Sequence, residues 1–227
     1  MRKPLAAFAG SAASPDQFPK DGLPEVAFLG RSNVGKSSLL NALVGIRGLA
    51  RVSSTPGRTR LVNFFRVGGE MYFADLPGYG YARVPEAMRR GWERLASAYL
   101  VDRRPLALCV FLVDSRHEPS EGDETLRAFL DERRLAYVIA ATKIDRLGSD
   151  GAARRRQALA RGLGRRAKDV VAVSAETGAG TKELWRLVQS AAREHRQRLD
   201  AQDGRPERRD RADTTARAAG SVPHREA

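Results

Sequence analysis

The sequence predicts an α/β domain: a mostly parallel six-stranded sheet with one antiparallel strand and helices on both faces. Three observations lead there. Short apolar runs alternate with segments of helical periodicity along most of the 227 residues. Gly68-Gly69 joins two such runs as a two-residue hairpin, which supplies the antiparallel strand. Between the first run and the first helix stands Gly30-Arg31-Ser32-Asn33-Val34-Gly35-Lys36-Ser37, with the spacing G-x-x-x-x-G-K-[ST] of a phosphate-binding loop. Ligand sites of such a sheet belong at the carboxyl ends of its strands.

Taken in order, residues 1–22 are rich in Pro, Ala and Ser and predict a loosely attached arm. Arg2-Lys3 and the small apolar stretch after them superficially resemble a secretion signal. Gly10 and Ser11 interrupt that stretch too early, so the arm reads as cytoplasmic. The domain spans 23–199. Residues 25–29 form a buried strand and 38–44 a helix with an apolar face. The polar connection 45–60 is too long for an ordinary loop. Strands 61–67 and 70–74 flank the hairpin turn, and an irregular stretch, 76–84, leads into a helix over 85–101. Residues 106–113 and 135–141 are continuous apolar runs, the mark of strands buried on both faces. Helices follow at 121–134 and 149–162, a short strand at 170–173, and a closing helix at 181–199 whose Leu184, Leu187 and Val188 keep core spacing. Residues 200–227 lack apolar periodicity and carry mixed charge, which predicts a disordered tail.

Composition narrows the partners. Forty Lys and Arg against 27 Asp and Glu leave a net charge of +13, which favours a polyanion, RNA above all. Only six of those forty are Lys, a skew that genomic codon bias also produces. Within that skew, Lys36 and Lys143 both stand inside nucleotide motifs, where a compact ammonium suits better than a guanidinium fork. The single cysteine, Cys109, excludes a disulfide framework and sits in an apolar run as a core residue. One Cys and three His exclude a zinc cluster, and no apolar run approaches the length of a membrane span.

Four pieces, in order and each at a strand end, define a guanine-nucleotide site. In the loop, Gly30 and Gly35 let backbone N–H groups curl around phosphate oxygens. Lys36 supplies charge to the outer phosphates, Ser37 offers a hydroxyl to Mg2+, and Ser38 opens the helix whose positive end faces the anion. Asp75-Leu76-Pro77-Gly78 follows the hairpin. Its carboxylate can hold Mg2+ through water, and the Gly78 N–H can sense the terminal phosphate. Thr142-Lys143-Ile144-Asp145 follows the strand 135–141. Asp145 suits the two N–H donors of guanine, which adenine lacks, and Lys143 can lay its stem over the base. Val173-Ser174-Ala175 ends the last strand and can offer a backbone N–H to the guanine oxygen.

With these residues in place the chain resembles the EngB (YihA) family of bacterial P-loop GTPases, in the translation-factor-related class. The resemblance covers roughly 20–195 and rests on residues 30–38, on 55–65 (TPGRTRLVNFF) and on 75–82 (DLPGYGYA). It implies a GTP/GDP-binding protein that assists assembly of the large ribosomal subunit, touches its precursor or its rRNA, and supports cell division and septation; nothing in the sequence suggests more than a monomer. It places Gly57, Arg58, Thr59, Arg60 and Leu61 in the first switch, with Thr59 on Mg2+ in the GTP state; by chemistry alone Thr55 is the alternative. Lys36, Thr59 and Gly78 are the residues expected to serve hydrolysis.

Tyr79 occupies the position where many small GTPases carry the Gln that orients the attacking water, so slow intrinsic hydrolysis is expected. Asn33 has two readings: a small residue tolerating turn geometry, or, by the resemblance, a ligand that helps bind K+ near the phosphates. The rival to a GTP switch is a basic RNA-binding assembly factor whose nucleotide site is mainly structural. Intact Lys36, Ser37, Asp75 and Asp145 argue against it.

Overall fold

The computed structural model describes residues 4–50, 61–79, 86–101, 103–148 and 151–204, with the backbone alone over 86–93. Among the described residues seven strands build one sheet: β1 (Ala6–Ala12), β2 (Glu25–Gly30), β3 (Val62–Val67), β4 (Met71–Asp75), β5 (Leu106–Asp114), β6 (Tyr137–Thr142) and β7 (Val170–Ala172). Their order is β1-β3-β4-β2-β5-β6-β7. Only β3 runs against the rest, antiparallel to both of its neighbours. The helices are α1 (Lys36–Val44), α2 (Glu86–Val101), α3 (Glu121–Glu132), α4 (Gly151–Gly162) and α5 (Thr181–Gln202).

The seventh strand corrects the expected arm. Residues 6–12 pair with β3 from Ala6↔Val67 to Ala12↔Val62, and the register shifts between Phe8 and Gly10. Small residues hid this strand, because Ala and Ser leave little alternation to read. What holds it is the ladder and one aromatic contact, Phe8 on Phe65 at 5.7 Å. Further along the same segment Phe18 is buried, edge-on to Tyr99 at 5.3 Å. The tail, expected from 200, begins later: α5 runs on to Gln202, and residues 205–227 lie outside the described residues.

Period two divides the core between the sheet's faces. Val26 and Phe28 of β2, with Val110 and Leu112 of β5, pack with α1 and α5. Ala27, Leu29, Cys109, Phe111 and Val113 face the opposite layer, with Leu95 and Tyr99 of α2, Leu130 of α3 and Leu159 of α4. Burial pushes the Cys109 thiol up to about 12, so it stays protonated as a small hydrophobe. Trp185 packs edge-on to Phe73 at 6.0 Å.

A buried acid ties α2 down at the pole away from the phosphate loop. Glu25, 1% exposed, accepts from the Tyr99 hydroxyl at 2.7 Å and from Arg103 Nε at 2.9 Å, and Arg103 Nη2 pairs with its other oxygen. Burial, then the Glu25 charge, raises the Tyr99 phenol well above its ordinary value, so it remains a donor. A carboxylate at this depth survives because each oxygen is paired.

The start of α5 fixes the path of the last strand–helix turn. Gly180 has φ +71°, and a Cβ there would lie 1.9 Å from the Ala172 carbonyl oxygen. Gly180→Ala is therefore expected to cost roughly 3 kcal/mol, read as a fall in the urea midpoint, whereas Gly204→Ala, with a similar φ of +63° but open space around it, shows the backbone strain without the clash and is expected to cost less.

Candidate functional site

The site lies where β2, β4, β5, β6 and β7 end. At the first of these ends, Gly30 abuts β5 so closely that a Cβ would meet the Leu112 carbonyl oxygen at 2.8 Å. Asn33 takes φ +62° and Gly35 φ +103°, the left-handed turns that curl the loop before α1 begins at Lys36. The Asn33 conformation is the turn geometry expected of that residue type. Val34 is buried, and its carbonyl accepts from Thr142 Oγ1 at 2.7 Å. Ser37 and Ser38 occupy the first turn of α1, half-buried.

The end of β4 docks on that loop. Lys36 Nζ pairs with Asp75 Oδ1, and the two side chains are only 12% and 6% exposed. Leu76 is buried, its amide bonding the Phe28 carbonyl at 3.2 Å, and Pro77 is half-buried. Gly78 is flush with the loop: a Cβ would stand 3.1 Å from the Ser32 nitrogen. Next to it, Tyr79 bridges to Arg31 in parallel register.

The third group comes from β6 and β7. Thr142 closes β6; Lys143 takes φ +61°, and Ile144–Arg146 form a single 3-10 turn. Lys143 Nζ donates to the Asn33 carbonyl at 2.6 Å, so the base motif is tied directly to the phosphate loop. Asp145 Oδ1 accepts from Ser174 Oγ at 2.6 Å. Ser174 is fully buried, and its oxygen also accepts from the amides of Glu176 and Thr177, which sets its hydroxyl toward Asp145. Val173 is buried and its carbonyl accepts from Ile144 N at 3.4 Å; Ala175 follows, half-buried. The structure thus brings together residues 30–38, 75–78, 142–145 and 173–175. Gly57, Arg58, Thr59 and Arg60, and Thr55 with them, lie outside the described residues; Leu61 stands half-buried at the start of β3.

Asp114 belongs to the site although no motif announced it. It ends β5, and Oδ2 accepts from Lys143 Nζ at 2.8 Å while Arg116 grips both oxygens at 2.9 and 2.8 Å. The available signal was an acid closing a nine-residue buried strand, where only a paired carboxylate is tolerated. Burial alone would raise its pKa, but the hydrogen bonds from Arg116 and Lys143 outweigh burial and hold it well below the usual carboxylate range. The sign follows: this ion pair stabilises the fold fully above about pH 3.9, the unfolded value, and its contribution is lost as pH falls from there. In acid titrations the stability gap between the wild type and Asp114→Asn is expected to close below that pH. A gap that persists unchanged through the acid range would disprove the assignment.

This fold and this site define a P-loop GTPase, and residues 25–143 match the family described as 50S ribosome-binding GTPase. A probable GTP-binding protein EngB of Anaeromyxobacter dehalogenans (strain 2CP-C) is 47% identical over 201 residues, covering 84% of this chain and 93% of that protein. Its counterpart from Symbiobacterium thermophilum is 43% identical over 225 residues, covering 84% and 95%. The chain belongs to the EngB family of GTPases. A crystal structure of a probable GTP-binding protein EngB, 23% identical, superposes with a TM-score of 0.62 over 75% of this chain and 99% of that one, which shows the shared fold. No described helix is long and apolar enough to cross a membrane.

Proposed function

We propose that this GTPase is a nucleotide-dependent switch that binds a precursor of the large ribosomal subunit in the cytoplasm and assists its assembly, and that normal cell division and septation depend on that work. The observation that carries the reading is the Lys143–Asn33 bond, which joins the base-reading turn to the phosphate loop in one continuous site. The ribosomal partner draws support from the 50S ribosome-binding description of the matched family and from the net charge of +13.

In this reading, Asp145 accepts from the two N–H donors of guanine, Ser174 holds Asp145 in place, and the backbone at Ala175 meets the guanine oxygen. Lys36 and the amides of residues 35–38 hold the phosphates, and the Gly78 N–H reads the terminal one. Ser37 and Thr59 would hold Mg2+ directly, and Asp75 through water. The donors fit that ion, since hydroxyl and carboxylate are hard oxygens that leave the rest of the shell to water and phosphate. Bound there, the ion would neutralise charge on the phosphoryl group. Tyr79 lacks the amide of Gln, so basal turnover is slow and rises with a partner or with K+ held near Asn33.

Two measurements test the reading. Co-sedimentation with ribosomal subunits is expected with a GTP analogue and not with GDP, and the protein is expected to act as a monomer. Pelleting equally with either nucleotide would return the chain to the class of simple RNA binders. Turnover in K+ is expected to exceed that in Na+, and Asn33→Ala to abolish the difference; equal rates in the two salts remove the cation.

A further inference from the structure

Tyr79 is held through its carbonyl, its hydroxyl and its ring. Its carbonyl accepts from the Ser32 amide at 3.0 Å and the Ser32 hydroxyl at 3.2 Å. Its hydroxyl donates to Asp123 Oδ1 at 2.6 Å. Its ring lies on Gly122, where an added Cβ would meet two ring carbons at 3.1 Å. Burial and the Asp123 charge push the phenol far above its ordinary range, so it stays a donor.

The acceptor is itself immobilised. Asp123 is 5% exposed, and its second oxygen accepts from the Ser120 amide at 2.8 Å and the Ser120 hydroxyl at 2.7 Å. Ser120 Oγ returns a bond from the Asp123 amide, closing a capping box at the start of α3. The short stretch after β4 is therefore pinned at both ends, Asp75 by Lys36 and Tyr79 by Asp123, with Gly78 against Ser32 between them.

We propose that Tyr79 is a positioning residue for GTP hydrolysis: tethered to Asp123, it holds Gly78 and Asp75 against the phosphate loop in the geometry from which GTP is cleaved. The proposal rests on the reading of Asp75 and Gly78 given above. It also accounts for the absence of a water-orienting group at this position, because the only polar atom of the side chain is committed to α3.

The full-length chain tests it. Tyr79→Phe keeps the ring on Gly122 and removes only the tether. The lost bond had a charged acceptor, so kcat is expected to fall roughly tenfold or more while KM moves less than about twofold. Hydrogen exchange at the Ser32 amide, bonded to Tyr79, is expected to quicken. Leu130→Ala loosens the packing of α3 away from the tether; it is expected to lower Tm with kcat held. Wild-type kcat and unchanged Ser32 exchange in Tyr79→Phe would overturn the proposal. So would a Leu130→Ala variant that loses as much kcat as Tyr79→Phe, since the effect would then belong to helix stability. Asp75→Asn examines the underlying reading separately: wild-type turnover there removes the role of Asp75 whatever Tyr79→Phe does.

Discussion

Asp145→Ala is expected to weaken GTP binding by roughly 150-fold or more while leaving ATP binding unchanged, so that the preference for guanine collapses. Two hydrogen bonds to a carboxylate at about 1.5–3 kcal/mol each set that size. The direction is fixed by the carboxylate's surroundings: Ser174 holds one oxygen at 2.6 Å and Arg146 stands 3.2 Å from the other, so the acid is oriented before any base arrives. Asp145→Asn makes the sharper probe. Its amide offers a donor where the carboxylate had only acceptors, which matches a base with a carbonyl at C2, and xanthosine triphosphate is expected to outcompete GTP. Ser174→Ala should lie between the extremes, about tenfold weaker, because the acid is kept but released. Displacement of a fluorescent guanine nucleotide by GTP, ATP and xanthosine triphosphate measures all three. GTP displacing equally well from Asp145→Ala and the wild type would remove Asp145 from the site.

Lys36→Ala is expected to act twice, on the ligand and on the fold. Losing a charge-assisted contact to the phosphates weakens GTP binding by about 100-fold, or about 2.7 kcal/mol, and turnover falls below detection. The second effect needs no nucleotide. Asp75, 6% exposed in its side chain, loses the cation that faces it, and removing one partner of a buried pair costs about 3–5 kcal/mol. For a domain of this size that is a Tm lower by roughly 6–20 °C. The double variant Lys36→Ala/Asp75→Asn, with no charge left over, is expected to regain much of that Tm and none of the GTP binding. Lys36→Arg should keep the pair but not the binding, because a planar fork does not replace a point charge inside this loop. A Lys36→Ala protein that melts with the wild type would show the pair to be energetically idle.

The residues proposed to face the nucleotide were legible because their chemistry is written in local spacing: residues 30–37, 75–78 and 142–145 each place a fixed set of types within a few positions at a strand end. The groups that hold them were not. Asp114, Asp123 and Ser174 act through bonds to residues 29, 44 and 29 positions away, and no local pattern joins Asp123 to Tyr79. Ser174 was read for its backbone, whereas its hydroxyl does the positioning. In the fold, the buried strands 106–113 and 135–141 were plain from apolar runs, and β1 was missed because Ala and Ser conceal the alternation that larger residues display. Glu25 gave no warning either, since its meaning comes from Tyr99 and Arg103, both on the far side of the domain in sequence.

The anchorage of Glu25 also fixes the mechanics of α2. A helix of sixteen residues is about 24 Å long, and this one is fastened at its last turn and just beyond, through Tyr99 and Arg103, to the beginning of the central strand. The end of that helix and the first residue of the central strand therefore share one charged anchor, so loss of the Glu25 carboxylate would loosen helix and strand together while leaving the buried Tyr99 hydroxyl and the Arg103 guanidinium without their acceptor.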